Sequence, residues 1–108
     1  MSTRIGQLRH RLTIEQAART DDSGGGATLV WNTVAEVWGA VEALSGKESV
    51  EADRTSGSAI YSVTIRYRDG LEPSMRFRRD NEIYQITSVL DEDGRRRFLT
   101  CKCERRDL

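Results

Sequence analysis

Apolar and polar positions alternate with a period of two along most of this chain, the pattern of β-strands with one face turned to a core. The alternation is cleanest near the start. Leu8, His10, Leu12 and Ile14 oppose Arg9, Arg11, Thr13 and Glu15, which predicts a strand over 7–17. Residues 29–44 carry apolar side chains at both parities, with Ala35, Val37, Val41 and Ala43 against Val34, Trp38 and Ala40. Their β-branched content favours strand over helix. The doubled apolar pattern predicts either cover on both faces or a bulge near Gly39. The last half reads as a meander with strands over 60–68, 75–79, 83–90 and 98–105, turned at Asp69-Gly70, Asp80-Asn81 and Asp93-Gly94. Pro73 falls in a connection, where no ladder N–H is lost. This pattern predicts a mainly β fold: a small six-stranded β-barrel or sandwich with one long hairpin loop and one short helix or channel loop. The whole of 1–108 forms a single domain.

Two segments interrupt the strand pattern. Residues 18–28 contain Gly24, Gly25 and Gly26 in succession. They read as a flexible hairpin tip, either a plain surface loop or a finger that orders on a partner. Residues 45–58 open on Ser45-Gly46-Lys47-Glu48, whose Ser and Glu have the spacing of a capping box. A helix over 46–54 would have only Val50 and Ala52 to pack with, so 45–58 is expected to be mobile, as a weak helix or an extended loop.

Charge changes this picture through its distribution. The formal net charge is zero, yet residues 1–20 carry +3, 21–58 carry −5 and 59–108 carry +2. Such segregation suits either a solvated surface or a contact between an acidic segment of one copy and a basic flank of the next. Fifteen of the seventeen basic residues are Arg, whose planar fork suits interfaces; a GC-rich coding sequence produces the same bias. Cys101 and Cys103 share one face of the last strand, where two thiols pair poorly, and they read as buried free thiols of a reducing compartment. The sequence has no signal-peptide pattern and no apolar run of membrane length, which implies synthesis and assembly in a cytoplasm with no membrane partner.

Catalytic chemistry is hard to build from these residues. His10 is the only histidine and reads as a partly buried packing residue, so neither a Ser-His-Asp set nor a zinc site can be assembled. Gly24 to Gly26 lack the Lys and helix of a phosphate loop. The acids Asp91, Glu92 and Asp93 lack the ligand spacing of a calcium loop. The chain therefore reads as a non-enzyme with no cofactor. A nucleic-acid-binding β-barrel is the alternative, resting on Arg95-Arg96-Arg97. Neighbouring acids offset that cluster, and the tyrosines occupy core parities rather than a stacking surface.

The pieces IGQLRHRLTIEQ, VWGAVEALSGKE and VTIRYRDGLEPSMRFRRDNEIYQITSVLDEDGRRRFL, in this order and spacing, resemble the head–tail joining proteins of long-tailed phages. These are also called head-closure or stopper proteins, and gene-transfer particles carry similar ones. The resemblance spans Ile5 to about Glu104. It implies a small β-barrel that forms a homo-oligomeric ring in the virion neck, with a hexamer favoured over a dodecamer. Adaptor and portal proteins would lie above it and a tail terminator or tail tube below. Packaged DNA would pass through the channel without sequence-specific binding. By position, 45–58 would be the channel loop, with Ser45, Lys47, Glu48, Glu51, Asp53 and Arg54 as its candidate residues. Arg9, Arg11, Asp21, Asp22, Trp31, Trp38, Arg76, Arg78, Arg95 and Arg96 are the candidates for contacts between subunits or with neighbouring proteins.

Overall fold

The computed structural model describes residues 8–21, 23–44 and 59–107. Six antiparallel strands make up the fold: β1 (His10–Asp21), β2 (Ala27–Ala43), β3 (Ala59–Arg66), β4 (Arg76–Arg79), β5 (Glu82–Leu90) and β6 (Phe98–Asp107). They close into a barrel in the order β1-β2-β3-β6-β5-β4. No helix occurs among the described residues. The expected capping box and helix at 46–54 lie outside them.

Alternation fills the barrel. Leu12 and Ile14 of β1, Val63 and Ile65 of β3, Phe77 of β4, Tyr84 and Ile86 of β5, and Leu99, Cys101 and Cys103 of β6 form one buried cluster, with Met75 from the β3–β4 connection. Val37 and Val41 of β2 pack against it from the wall. A six-stranded barrel is narrow enough for side chains alone to fill its interior. Turn chemistry holds the ends. Gly70 and Gly94 adopt positive φ at two of the expected turns, and Asp80 adopts φ 55° at the third. In the β3–β4 connection the Gln85 amide donates to the carbonyls of Pro73 and Met75 at 3.1 and 2.9 Å.

The first hairpin departs from the sequence reading. Its strands are longer than expected, and pairing continues through Ala18↔Val30 and Thr20↔Thr28 to Asp21↔Ala27. The connection is therefore 22–26 rather than 18–28. Small and β-branched residues pair well across a ribbon even where no core-facing alternation marks them as strand.

The expected bulge near Gly39 also moves. The β1–β2 register shifts between Ile14↔Ala35 and Glu15↔Thr33, which makes Val34 the extra residue. Gly39 meets a different need. It is buried and pairs with both His10 and Ile65, and a Cβ there would lie 2.7 Å from Leu12 Cδ1 and 3.1 Å from the Thr64 carbonyl oxygen. Nor is β2 covered on both faces, because Val34 and Trp38 remain 41% and 51% exposed.

Candidate functional site

The outer surface of β1, β2 and β4 carries the chain's most developed polar arrangement. Strand pairing sets Glu15 opposite Thr33 on one side and Arg76 on the other. Glu15 is buried although it points away from the core. Arg76 Nε donates to its Oε1 at 2.7 Å, and Arg78 Nη1 lies 3.7 Å from Oε2. The Trp31 ring covers the assembly, with Arg76 Cζ 3.8 Å from its centroid. A carboxylate shielded from water is stable only when its oxygens find charged donors. The indole face supplies the guanidinium with a cation–π contact on its other side.

Further along the same face, Arg11 Nη2 donates to Glu36 Oε1 at 3.0 Å, and Arg11 Cζ sits 5.3 Å from the Trp38 centroid. A cleft of about 490 Å³ opens here, lined by Arg9, Arg11, Arg78 and Arg79 together with His10, Glu36, Trp38 and Asp80. A smaller one of about 200 Å³ lies on the far side of Trp38, bounded by Val37, Arg66, Tyr67 and Arg68. It marks the notch where β2 parts from β3. Among the described residues, β2 pairs with β3 only from Gly39 to Ala43, and no strand pairs with 27–38 on that side.

The β5–β6 turn holds the arginine triplet. Asp93 Oδ1 accepts the Arg95 backbone N–H at 2.9 Å, and Asp91 Oδ2 accepts that of Arg96 at 3.0 Å. Arg97 Nη2 donates to Asp93 Oδ2 at 2.6 Å. The Arg97 guanidinium, then the Arg95 backbone N–H, hold the Asp93 carboxyl below its ordinary value. At the opposite end of β5, the Tyr84 hydroxyl donates to Glu82 at 2.7 Å, and Arg105 Nη2 bonds the other oxygen of Glu82 at 3.2 Å. Burial, then the bond to Glu82, push the Tyr84 hydroxyl far above its usual range. Cys101 and Cys103 are buried free thiols, and burial raises Cys101 to about 12. Among the described residues, no three His, Cys, Asp or Glu side chains converge as metal ligands would.

The residues singled out in the sequence fall into separate places. Arg9, Arg11, Trp38 and Arg78 come together at the larger cleft. Trp31 and Arg76 come together on Glu15 and are engaged within the fold. Asp21 ends β1 on the projecting hairpin, exposed and 3.8 Å from Arg19. Arg95 and Arg96 stand apart in the β5–β6 turn. Asp22 and all six channel-loop candidates lie outside the described residues. Sequence reasoning missed Glu15, Glu36, Arg66, Arg68 and Arg79. The alternation that put Glu15 on the polar face was the only signal available, and it does not reveal a partner 61 residues away.

Comparison with known proteins gives this geometry a context. Residues 3–106 match the family model of the phage head completion protein. A chain in the virion of a native gene transfer agent particle is similar in structure, with a TM-score of 0.73 and 30% sequence identity, over 94% of this chain and 96% of that one. A Shigella flexneri 2a protein solved in solution is similar at a TM-score of 0.67 and 25% identity, over 94% of this chain and 95% of that one. No curated protein sequence matches. With nearly its whole length matched, and a barrel shared with a chain of an assembled particle, this chain belongs to the phage head completion protein family and is a structural, non-enzymatic virion component.

Proposed function

We propose that the chain forms a ring between the portal and adaptor above and the tail below, closing the DNA-filled head and presenting the surface on which the tail docks. The observation that carries this reading is the 30% identity, over 94% of the chain, to a component of a native gene transfer agent virion. The fold supports it. A side-chain-filled barrel is a rigid body suited to repetition about an axis, and its two long polar excursions leave from opposite ends. The β1–β2 hairpin extends from one end, and the 45–58 connection joins β2 to β3 at the other.

Glu48, Glu51 and Asp53 in a central channel would repel phosphates and let DNA slide rather than stick. Six copies match the symmetry of a tail and are favoured here over twelve. The contacts that close such a ring or join it to its neighbours are assigned to the exposed candidates of the outer surface and the hairpin. The nucleic-acid-binding alternative draws less support, because Asp93 holds the Arg97 guanidinium and the Asp91 and Asp93 carboxylates sit against the Arg95 and Arg96 backbone, placing negative charge within the arginine turn.

Electron microscopy of particles from a producer lacking the gene tests the proposal. DNA-filled or leaking heads beside separate, complete tails are expected. Normal tailed particles would overturn it. Crosslinks placing 45–58 on the outside of the ring would overturn the channel assignment alone.

A further inference from the structure

Strand β2 runs past its partner. Its ladder with β3 covers Gly39 to Ala43, and on that side no described strand pairs with 27–38. Free edges are normally blunted by charge or proline, because their N–H and C=O groups are a template for any extended chain. From Ala27 to Ala35 this edge contains neither, and its one irregularity is the bulge at Val34. Leu29 and Val30 are 60% and 44% exposed along it. Where β3 leaves the ladder, the notch of about 200 Å³ opens between Val37 and Trp38 on one wall and Arg66, Tyr67 and Arg68 on the other. No described acid lines it, and neither Arg66 nor Arg68 forms an ion pair among the described residues. Trp38, half exposed, separates the notch from the larger cleft, where Arg9 and Arg79 likewise pair with no described acid.

We infer that the notch and the β2 edge beside it receive an extended, acidic segment of a different virion protein, added to the sheet as a strand. The inference deepens the proposed function, on which it rests, by giving the chemistry of one neighbouring protein. The backbone groups of an open ladder are matched by another peptide backbone. A phosphodiester chain lacks the repeating N–H donor and C=O acceptor that the ladder needs. The edge therefore selects a polypeptide, and the arginines select its side chains. Planar guanidinium forks bind carboxylates through two bonds at once, and Arg66 and Arg68 stand without one. Trp38 supplies the apolar area of an interface centre. A second copy of this chain offers no such segment from its described surface. Most acids outside the clefts are held by arginines of their own chain, as Glu82 is by Arg105, Asp93 by Arg97 and Glu104 by Arg106.

The test is photo-crosslinking in assembled particles, with benzoylphenylalanine replacing Trp38. The position is half exposed, so a second aromatic is accommodated without disturbing the core. The same replacement at Val34, on the same edge, serves where position 38 blocks incorporation. Purified tailed particles are irradiated, and adducts of this chain are cut to peptides. The expected product joins the probe to a segment of another virion protein in which Asp and Glu outnumber Lys and Arg. An adduct with a second copy, with DNA or with a segment lacking that acidic excess would overturn the inference and leave the proposed function standing. So would a chain that is incorporated but yields no adduct. Labelling that finds the unsubstituted chain away from the head–tail junction would overturn the proposed function instead. The double variant Arg66→Glu, Arg68→Glu tests the charge. The isolated chain should unfold at the wild-type temperature, because neither arginine holds a described acid, while the adduct falls severalfold. An undiminished adduct would overturn the role given to the arginines.

Discussion

Glu15 is the residue whose environment is least like its neighbours', because it is a carboxylate on the outside of a barrel yet shielded from water. Two arginines and an indole account for this, and removing the carboxylate would leave Arg76 charged, stacked and without its closest acceptor. Glu15→Ala should therefore cost roughly 2 kcal/mol of folding stability, below the ~3–5 kcal/mol of a fully buried pair because Arg78 stays partly exposed. Urea unfolding of the variant checks this, and an unchanged midpoint would show the arrangement to be energetically idle. The two thiols are a second case. Cys101 is raised to about 12, and Cys103 is raised further by burial and then by the neighbouring sulfur. A thiol raised on folding contributes stability that is full below its unfolded value, near 9.0, and is lost as pH climbs toward the folded one. In the native protein at pH 8 both cysteines should resist alkylation, and labelling should follow unfolding rather than thiolate formation. Rapid labelling of the folded chain, followed by mass spectrometry, would contradict this.

At the scale of elements, β2 decides how the barrel closes. It pairs with β1 from Ala27 to Gly39 and with β3 from Gly39 to Ala43, so the two ladders overlap at a single residue. That residue has no room for a side chain, since Leu12 is fully buried and the Thr64 carbonyl belongs to a ladder. Gly39→Ala should cost about 1–3 kcal/mol, the usual penalty of overpacking a fixed core, and urea unfolding reads it directly. A neutral outcome would mean that Leu12 can repack. The strand character of this element was legible in the sequence, whereas Gly39, near which the pattern predicts a bulge, is instead a point of close packing. The meander was legible for the same reason, because Phe77, Ile65 and Cys101 alternate with polar neighbours and every turn carries its Gly, Asn or Asp. Three features were not. The bulge at Val34 shifts parity without any local marker, since every residue around it is tolerated in a strand. The hairpin beyond Ala17 pairs residues of mixed character, such as Arg19↔Leu29 and Thr20↔Thr28, with no core-facing alternation to mark them. The clustering of Arg9, Arg11, Arg78 and Arg79 depends on β4 lying beside β1, a closure that no local pattern specifies.

For the whole molecule, the seam where β4 meets β1 is the shortest in the barrel. It has three residue pairs, Thr13↔Arg78, Ile14↔Phe77 and Glu15↔Arg76, whereas β3 and β6 share eight. Closing a barrel removes both edges of a sheet at once, so its shortest ladder sets the free energy at which the ring of strands first opens. Two contributions hold this seam beyond its hydrogen bonds: Phe77 and Ile14 packed inside, and the Glu15–Arg76–Trp31 assembly outside. Since the outer assembly spans the seam, it acts as a clasp, and its loss should be felt locally before it is felt globally. Native-state hydrogen exchange distinguishes the two. In the wild type, the amides of β4 should exchange faster than those of β3 and β6. Glu15→Ala should accelerate β4 exchange by more than it accelerates exchange in the β3–β6 ladder, whose amides open only with the whole barrel. Equal acceleration throughout would mean that the barrel opens as one unit and the seam has no separate life. Preferential opening would show that a wall of the barrel can part while the β3–β6–β5 sheet stays intact.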